Sequence, residues 1–298
     1  MSPYIQSLRL RTLPLSVAGI ILGSGLAFET YPHPLLEGKG VFVFILAVLT
    51  ALSLQILSNL SNELGDAQKG TDTDQHGRAA YGLQAGTITE KQMKRMIGLF
   101  IGLCVIFGTT LVWTAFCGED HIVNQKSEII HSVSFLGLGL FAILGAMTYT
   151  LGKHSYGYIG LGDLGVFIFF GLASTWGAYY LQTQTLSWDA FWCGIAIGLP
   201  CVGVLNLNNM RDMSNDRVHG KRTFASLLGP VGARVYHYLL LFCCMLIFIL
   251  NGHYWIALIT PVWVWHIRIV GIQHPETLDK QMPVLMFSTL IVAILAIF

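Results

Sequence analysis

Two stretches of this 298-residue chain gather oxygen-bearing side chains at regular spacing. The first runs Asn59-Leu-Ser-Asn62-Glu63-Leu-Gly-Asp66-Ala-Gln-Lys69-Gly70-Thr-Asp72-Thr-Asp74. The second runs Asn206-Leu-Asn208-Asn209-Met-Arg211-Asp212-Met-Ser-Asn-Asp216-Arg217-Val-His219-Gly220-Lys221-Arg222-Thr223. Residues four apart on a helix share a face. Asn62 and Asp66 are therefore neighbours, and Asn208, Asp212 and Asp216 form a polar stripe about two turns long. Asp72 lies beyond that face, and Gly70 predicts a break that folds Asp72 back. Carboxylates on one stripe repel each other unless a cation neutralises them. Hard oxygen donors with no cysteine nearby and only loop histidines suit Mg2+. Lys69 and Arg78 follow the first set, and Lys221 and Arg222 follow the second. Two acidic arms with a basic rim fit a diphosphate, with Mg2+ between carboxylate and phosphate oxygens and Lys/Arg on the remaining oxygens.

The elements that must position these residues follow from composition. Charged residues make up 11% of the chain and hydrophobic residues 54%, with a mean hydropathy of +0.62. Ordinary globular proteins carry about 25% charged residues, so a soluble fold of this length could not cover its surface. Disorder, collagen and a secreted disulfide framework are excluded. Lys+Arg at 17 and Asp+Glu at 16 nearly cancel, so no global field recruits nucleic acid. Nine apolar stretches run roughly over 13–30, 41–61, 96–116, 132–151, 163–182, 189–209, 235–251, 253–270 and 282–298. Each approaches the ~20 residues of a membrane span. Lipid leaves backbone groups unsatisfied, so the spans must be helices. The expectation is an all-α polytopic membrane protein, a single domain over 1–298, with nine transmembrane helices around a central cavity.

Of the 17 lysines and arginines, all but Lys39 and Lys126 fall on the side of the N-terminus when nine spans are threaded. The positive-inside rule then puts the N-terminus in the cytoplasm and the C-terminus outside. The loops at about 66–95 and 210–234 are the longest cytoplasmic ones and carry both Asp-rich sets. Pro14 sits at the start of the first span, where a missing N–H costs little; the charge sidedness needs that stretch as a span rather than a cleaved leader. The six cysteines show no metal-ligand spacing and read as packing residues. Gly19/Gly23, Gly98/Gly102 and Gly194/Gly198 read as small-residue pairs that let helices approach. Asp163 opens the fifth span, either as a helix N-terminal carboxylate or as a site residue. His76 and His219 lie in the two loops and can exchange protons near neutral pH. A transporter with an Asp/Asn ion site would want its carboxylates at the bilayer midplane, and these sit at span ends.

Asp-rich motifs after spans two and six of a nine-helix chain resemble the UbiA-type membrane prenyltransferases. Asn62-x3-Asp66-x2-Lys69-Gly70-x-Asp72 is similar to the 1,4-dihydroxy-2-naphthoate branch. So are Leu10-Arg11-Thr12-Leu13-Pro14-Leu15-Ser16, the Gly157–Gly171 segment, and Asn208-Asn209-x-Arg211-Asp212-x3-Asp216-x3-Gly220-Lys221-x-Thr223, the most specific of them. The likeness covers residues 9 to about 229. Glu63 stands where the family often has Asp, and Tyr149-x3-Lys153 is similar to the 4-hydroxybenzoate relatives. The resemblance implies transfer of a polyprenyl group from polyprenyl diphosphate to 1,4-dihydroxy-2-naphthoate in menaquinone biosynthesis, with release of diphosphate and CO2. 4-Hydroxybenzoate or homogentisate as acceptor, and a small-molecule transporter, stay as alternatives. It implies Mg2+ on Asn62, Asp66, Asn208, Asp212 and Asp216, with Asp72 on metal or orienting Lys69. It implies diphosphate contacts from Lys69, Arg78, Lys153, Lys221 and Arg222. Tyr149 would face the allylic cation, and Arg11 the acceptor carboxylate. The partners are these two substrates and the bilayer, with no nucleic acid and no obligate protein. The location implied is the bacterial cytoplasmic membrane, multi-pass, with the site toward the cytoplasm.

Overall fold

Backbone groups that cannot bond to lipid bond to each other, and nine helices long and apolar enough to cross a membrane form among the described residues. The computed structural model describes residues 2–30, 38–71, 82–117, 125–153 and 155–298, with the backbone alone at 125–127. The helices are α1 (Leu13–Thr30), α2 (Lys39–Lys69), α3 (Glu90–Phe116) and α4 (Gln125–Thr148). There follow α5 (Gly162–Thr183), α6 (Trp188–Arg211), α7 (Phe224–Leu250), α8 (Tyr254–Ile272) and α9 (Pro275–Leu295).

Several helices begin before the expected edges, and the departures of α2 and α7 shape the polar end. α2 has 31 residues, about 46 Å at 1.5 Å per residue, against a hydrocarbon core of about 30 Å. It is thus longer than that layer, and its last two turns carry Asn62 and Asp66. It stops at Gly70, which takes φ 70°, a conformation cheap only for glycine. Thr71 closes the end, donating its N–H and its hydroxyl to the Asp66 carbonyl, each at 3.1 Å. α7 begins at Phe224, well before the expected 235. Thr223 and Ser226 cap it reciprocally, and it kinks at Gly229 ahead of Pro230. The expected loop 210–234 is thus mostly helical, with a short helix Met213–Val218 inside it.

α1 touches α2, α5, α6 and α9, and α6 packs along α7. A cavity of about 480 Å³ opens between α1–α6 and α9. α7 and α8 stand outside that ring and pack through Leu241, Phe248, Ile259 and Trp263 into the main core. Within α5, Phe167–Ala173 is a π-helical stretch, and Ser174 donates back to the Phe170 carbonyl at 2.5 Å. The wider turn aims Phe169 and Phe170 into the cavity.

Glycine contacts divide the expected pairs. A Cβ on Gly23 would collide with the Thr175 backbone carbonyl, and one on Gly171 would lie 2.6 Å from the Gly194 carbonyl oxygen. A Cβ on Gly19 would collide with Ser174 and one on Gly198 would lie 3.0 Å from the Phe167 ring, whereas Gly194 is in ordinary contact with α5. Gly98 and Gly102 have nothing within 4 Å; that pair is no helix contact, which corrects the sequence expectation. Gly23→Val is therefore expected to lower stability by about 1–3 kcal/mol through overpacking, whereas Gly102→Val leaves it within about 0.5 kcal/mol. Melting of the two variants in one detergent checks the contrast.

Candidate active site

The end of α2 supplies the first arm. Asn62 Oδ1 accepts from the Thr150 hydroxyl at 3.2 Å, and that hydroxyl also reaches the Ser61 carbonyl at 3.0 Å. Asp66 Oδ1 accepts from the Tyr158 hydroxyl at 2.8 Å. Lys69 Nζ donates to the Thr150 carbonyl at 2.6 Å and to the Ser155 hydroxyl, and it sits 3.7 Å from the centre of the Tyr158 ring. The segment joining α4 to α5 thus forms the wall of the site. Burial, then the negative charge of Asp66, holds the Tyr158 hydroxyl well above the usual phenol range. The expected Asp72, Arg78 and His76 lie outside the described residues.

The second arm differs from the continuous stripe expected. α6 ends at Arg211, and Asp212 takes φ −92°, ψ 4° before the short helix begins. The amide bonds Asp212 to Asn208 (3.0 Å) and Asp216 to Asp212 (2.8 Å) keep the four-residue step across the break. Arg211, 7% exposed, organises this arm. Its guanidinium donates to both oxygens of Asp212 at 2.7 and 2.6 Å, to Asn208 Oδ1 at 2.5 Å and to Asp279 Oδ1 at 2.5 Å.

The arms meet on Tyr158. Asn215 Nδ2 donates to the Thr71 carbonyl at 2.7 Å, joining one motif to the other across 144 residues. Lys221 Nζ lies 5.5 Å from the Tyr158 ring centre, so both lysines approach that ring. The Arg222 amide donates to the Tyr158 carbonyl at 3.0 Å. Lys221 pairs with Asp216 Oδ1 at 3.3 Å. Burial alone would lower the Lys221 ammonium, but Asp216, Asp66 and Asp212 together outweigh it and hold it above its ordinary value. Asp216 is 2% exposed, and burial pushes its carboxyl up to about 6 against the pull of Lys221. Its second oxygen, Oδ2, is buried with no hydrogen-bond partner among the described residues. A buried carboxylate oxygen without a donor is costly, and a dication among Asp66, Asp212 and Asp216 would satisfy it. The donor set, all carboxylate and amide oxygen, fits Mg2+.

The cavity runs inward from this pole. Arg9, Arg11, Asn62, Asn208 and Tyr149 line its mouth, and Ile20, Leu111, Phe135, Phe169 and Phe170 its interior. Val105 of α3 and Leu136 and Leu140 of α4 line it and are exposed, the side where an opening between these helices would lie. Tyr149 sits edge-to-face against Tyr156, ring centres 5.2 Å apart, and burial raises its hydroxyl well above the usual range.

Other expected residues are placed differently. Arg11 lines the mouth and pairs with Asp279 at 3.4 Å. Lys153 is exposed on the α4–α5 segment, and the Arg222 side chain is exposed while its backbone engages Tyr158. Asp163 lies in the first turn of α5 and accepts from Tyr236 of α7 at 3.1 Å, a structural tether. His219 Nδ1 faces the Asn215 carbonyl at 3.0 Å. Tyr158, Arg211, Asn215 and Asp279 were not foreseen. Arg211 had a signal, a cation next to an aspartate in a chain poor in charge. Asp279 had none, because only the folded chain brings α9 beside α6.

Residues 16–291 match the model of the UbiA prenyltransferase family. The chain is 43% identical over 239 residues to a protein named 1,4-dihydroxy-2-naphthoate octaprenyltransferase from Escherichia coli, covering 80% of this chain and 72% of that one. A protein of the same name from Haemophilus influenzae is 39% identical over 236 residues, covering 79% and 72%. In fold the chain is similar to the solved structure of a UbiA homolog from Archaeoglobus fulgidus bound to GPP and Mg2+, with a TM-score of 0.64, 13% identity and 99% of each chain covered.

Arg211 neutralises two carboxylates at once. Arg211→Ala should lower stability by about 3 kcal/mol, the low end for a broken buried pair, because Asp279 is 40% exposed. Adding Asp279→Ala should recover part of that loss, and a double-mutant cycle from melting curves measures the coupling.

Proposed function

The chain belongs to the UbiA prenyltransferase family, and from that premise we propose that it moves a polyprenyl group from polyprenyl diphosphate to 1,4-dihydroxy-2-naphthoate. The observation that carries this reading is the shape and chemistry of one space. Arg9, Arg11, Asn62 and Asn208 line its mouth, apolar side chains line its interior, and Asp66 and Asp212, with Lys69 and Lys221 near them, follow Asn62 and Asn208 by one helical turn. A polyprenyl diphosphate has the same two ends. Its tail belongs in the lateral, lipid-facing opening, and its diphosphate belongs beside Lys69 and Lys221. The names of the relatives carry the acceptor and the pathway of menaquinone biosynthesis.

Asn62, Asp66, Asn208, Asp212 and Asp216 are the residues that would hold Mg2+. Bound there, Mg2+ supplies positive charge that offsets the charge on the leaving diphosphate. Lys69 and Lys221, both near the Tyr158 ring, add donors to the same group. Tyr158 fixes Asp66, and Arg211 fixes Asn208 and Asp212, so the donors are held before substrate arrives. The C–O bond to the diphosphate then breaks with its electron pair leaving on oxygen. Tyr149 presents a ring at the mouth where positive charge develops on the allylic carbon. The apolar walls exclude water that would capture that carbon. The electron-rich naphthoate ring forms the new C–C bond, and its carboxylate departs as CO2, returning the bonding pair to the ring. Arg11, at the mouth, is placed for the acceptor carboxylate. Arg78 and Asp72 belong to the same reading through the family motif, and Lys153 and Arg222 are the outer diphosphate contacts. The lysine and arginine distribution puts this pole in the cytoplasm and the C-terminus outside, with the protein in the bacterial cytoplasmic membrane.

Asp66→Ala and Asp212→Ala are each expected to reduce Mg2+-dependent prenyl transfer by about 10²-fold or more. The assay uses membranes supplied with one prenyl diphosphate and, in parallel, 1,4-dihydroxy-2-naphthoate, 4-hydroxybenzoate or homogentisate. Product from the naphthoate alone is the expected outcome. Near-normal turnover in both variants would remove the metal assignment, and a preference for another acceptor would remove the naphthoate assignment.

A further inference from the structure

A second set of donors converges at the opposite end of α6. Asp189 lies in its first turn, Cys193 follows one turn on, and His253 stands in the turn between α7 and α8. The four-residue step puts Asp189 and Cys193 on one face. His253 Nε2 is 3.2 Å from Cys193 Sγ and 3.1 Å from Asp189 Oδ1, and Sγ is 4.0 Å from that oxygen. Nineteen residues separate Asp189 from Asn208, about 28 Å along the helix, so this set is remote from the Asp-rich pole.

Nε2 either carries hydrogen or offers a lone pair. If it donates to Asp189, the Cys193 thiol is left with the same carboxylate oxygen at 4.0 Å, a long contact. If it accepts from the thiol, a carboxylate oxygen faces a lone pair at 3.1 Å. A cation among the three atoms would replace these contacts by direct ligation. Ligands on a tetrahedral zinc at bond lengths of about 2.0–2.3 Å lie about 3.4–3.6 Å apart. The three separations here, from 3.1 to 4.0 Å, bracket that range. Sulfur, imidazole nitrogen and one carboxylate form a set for borderline transition metals and not for Mg2+ or Ca2+. Burial is graded in the way an open site needs: Cys193 is 1% exposed, the His253 side chain 12% and the Asp189 side chain 47%. His253 is also fixed from behind. Its amide donates to the Phe248 carbonyl at 3.0 Å, and its ring stands edge-on to Phe248 at 5.8 Å.

We propose that Asp189, Cys193 and His253 bind a transition-metal dication of the Zn2+ class, with a water in the fourth position on the Asp189 side. Bound there, the ion clamps the α7–α8 turn to the start of α6. This revises the reading of Cys193 as a packing residue, since its ligand partner is 60 residues away in sequence.

The test uses the full chain purified in detergent, with Co2+ as the spectroscopic probe and Zn2+ as competitor. The expected result is one equivalent of Co2+ per chain with a thiolate-to-metal charge-transfer band that Zn2+ abolishes. Cys193→Ser should lose that band. Asp189→Asn and His253→Gln should weaken binding by at least about tenfold. Prenyl transfer with Mg2+ should persist in all three, showing intact folding. A wild-type chain with no such band, or a band that survives Cys193→Ser, would overturn the proposal and leave a hydrogen-bonded staple.

Discussion

Carboxylates brought together away from bulk water repel one another, and the polar end of this protein is built around balancing that repulsion. Asp66, Asp212 and Asp216 all act on Lys221, whose ammonium they hold charged against the cost of burial. Lys69 approaches from the other arm, and both ammonium groups lie near the Tyr158 ring. Arg211 takes up the charge of Asp212 and Asp279 from behind. The balance remains incomplete at Asp216 Oδ2, which is buried without a donor among the described residues. That oxygen is the physical argument for a dication beside the two lysines.

The bilayer sets the rest. A diphosphate has to stay near water, and a polyprenyl chain has to stay out of it. The fold meets both demands with a long α2 that ends in polar residues, beside a cavity lined by Leu111, Phe135, Phe169 and Phe170. The π-helical stretch of α5 turns two of those aromatic side chains inward. The close glycine contacts of α1 with α5, and of α5 with α6, hold the cavity wall together. α7 and α8 serve as buttresses, tied to the site through Tyr236–Asp163 and through the buried core around Phe248.

Much of this was legible in the sequence because hydropathy is a property of continuous segments. Nine spans, their order and the position of the two Asp-rich sets all follow from apolar runs broken by scarce charges. The helical pairing of Asn62 with Asp66 follows from spacing alone. Less legible were contacts made by folding back. Tyr158 stood inside a glycine-rich segment with no charge to mark it, yet it receives both lysines. Asp279 stood in the first turns of α9, with nothing in the sequence to link it to α6. The stripe of Asn208, Asp212 and Asp216 was read as one helix because spacing says nothing about the break at Asp212. Gly98 and Gly102 had the spacing of a helix contact but face open space, since periodicity identifies a face and not its neighbour. Cys193 shows the same limit, because its partner His253 is brought to it only by the α7–α8 turn.

The central claim is that two motifs far apart in sequence act on one diphosphate. Calorimetric titration of an inert prenyl thiolodiphosphate with Mg2+ into wild-type protein, Asp66→Ala, Asp212→Ala and the double variant measures this most directly. One shared site predicts that the double variant binds no more weakly than the weaker single variant, within about 0.5 kcal/mol. Losses that simply add would mean that Asp66 and Asp212 act independently, and would contradict the account.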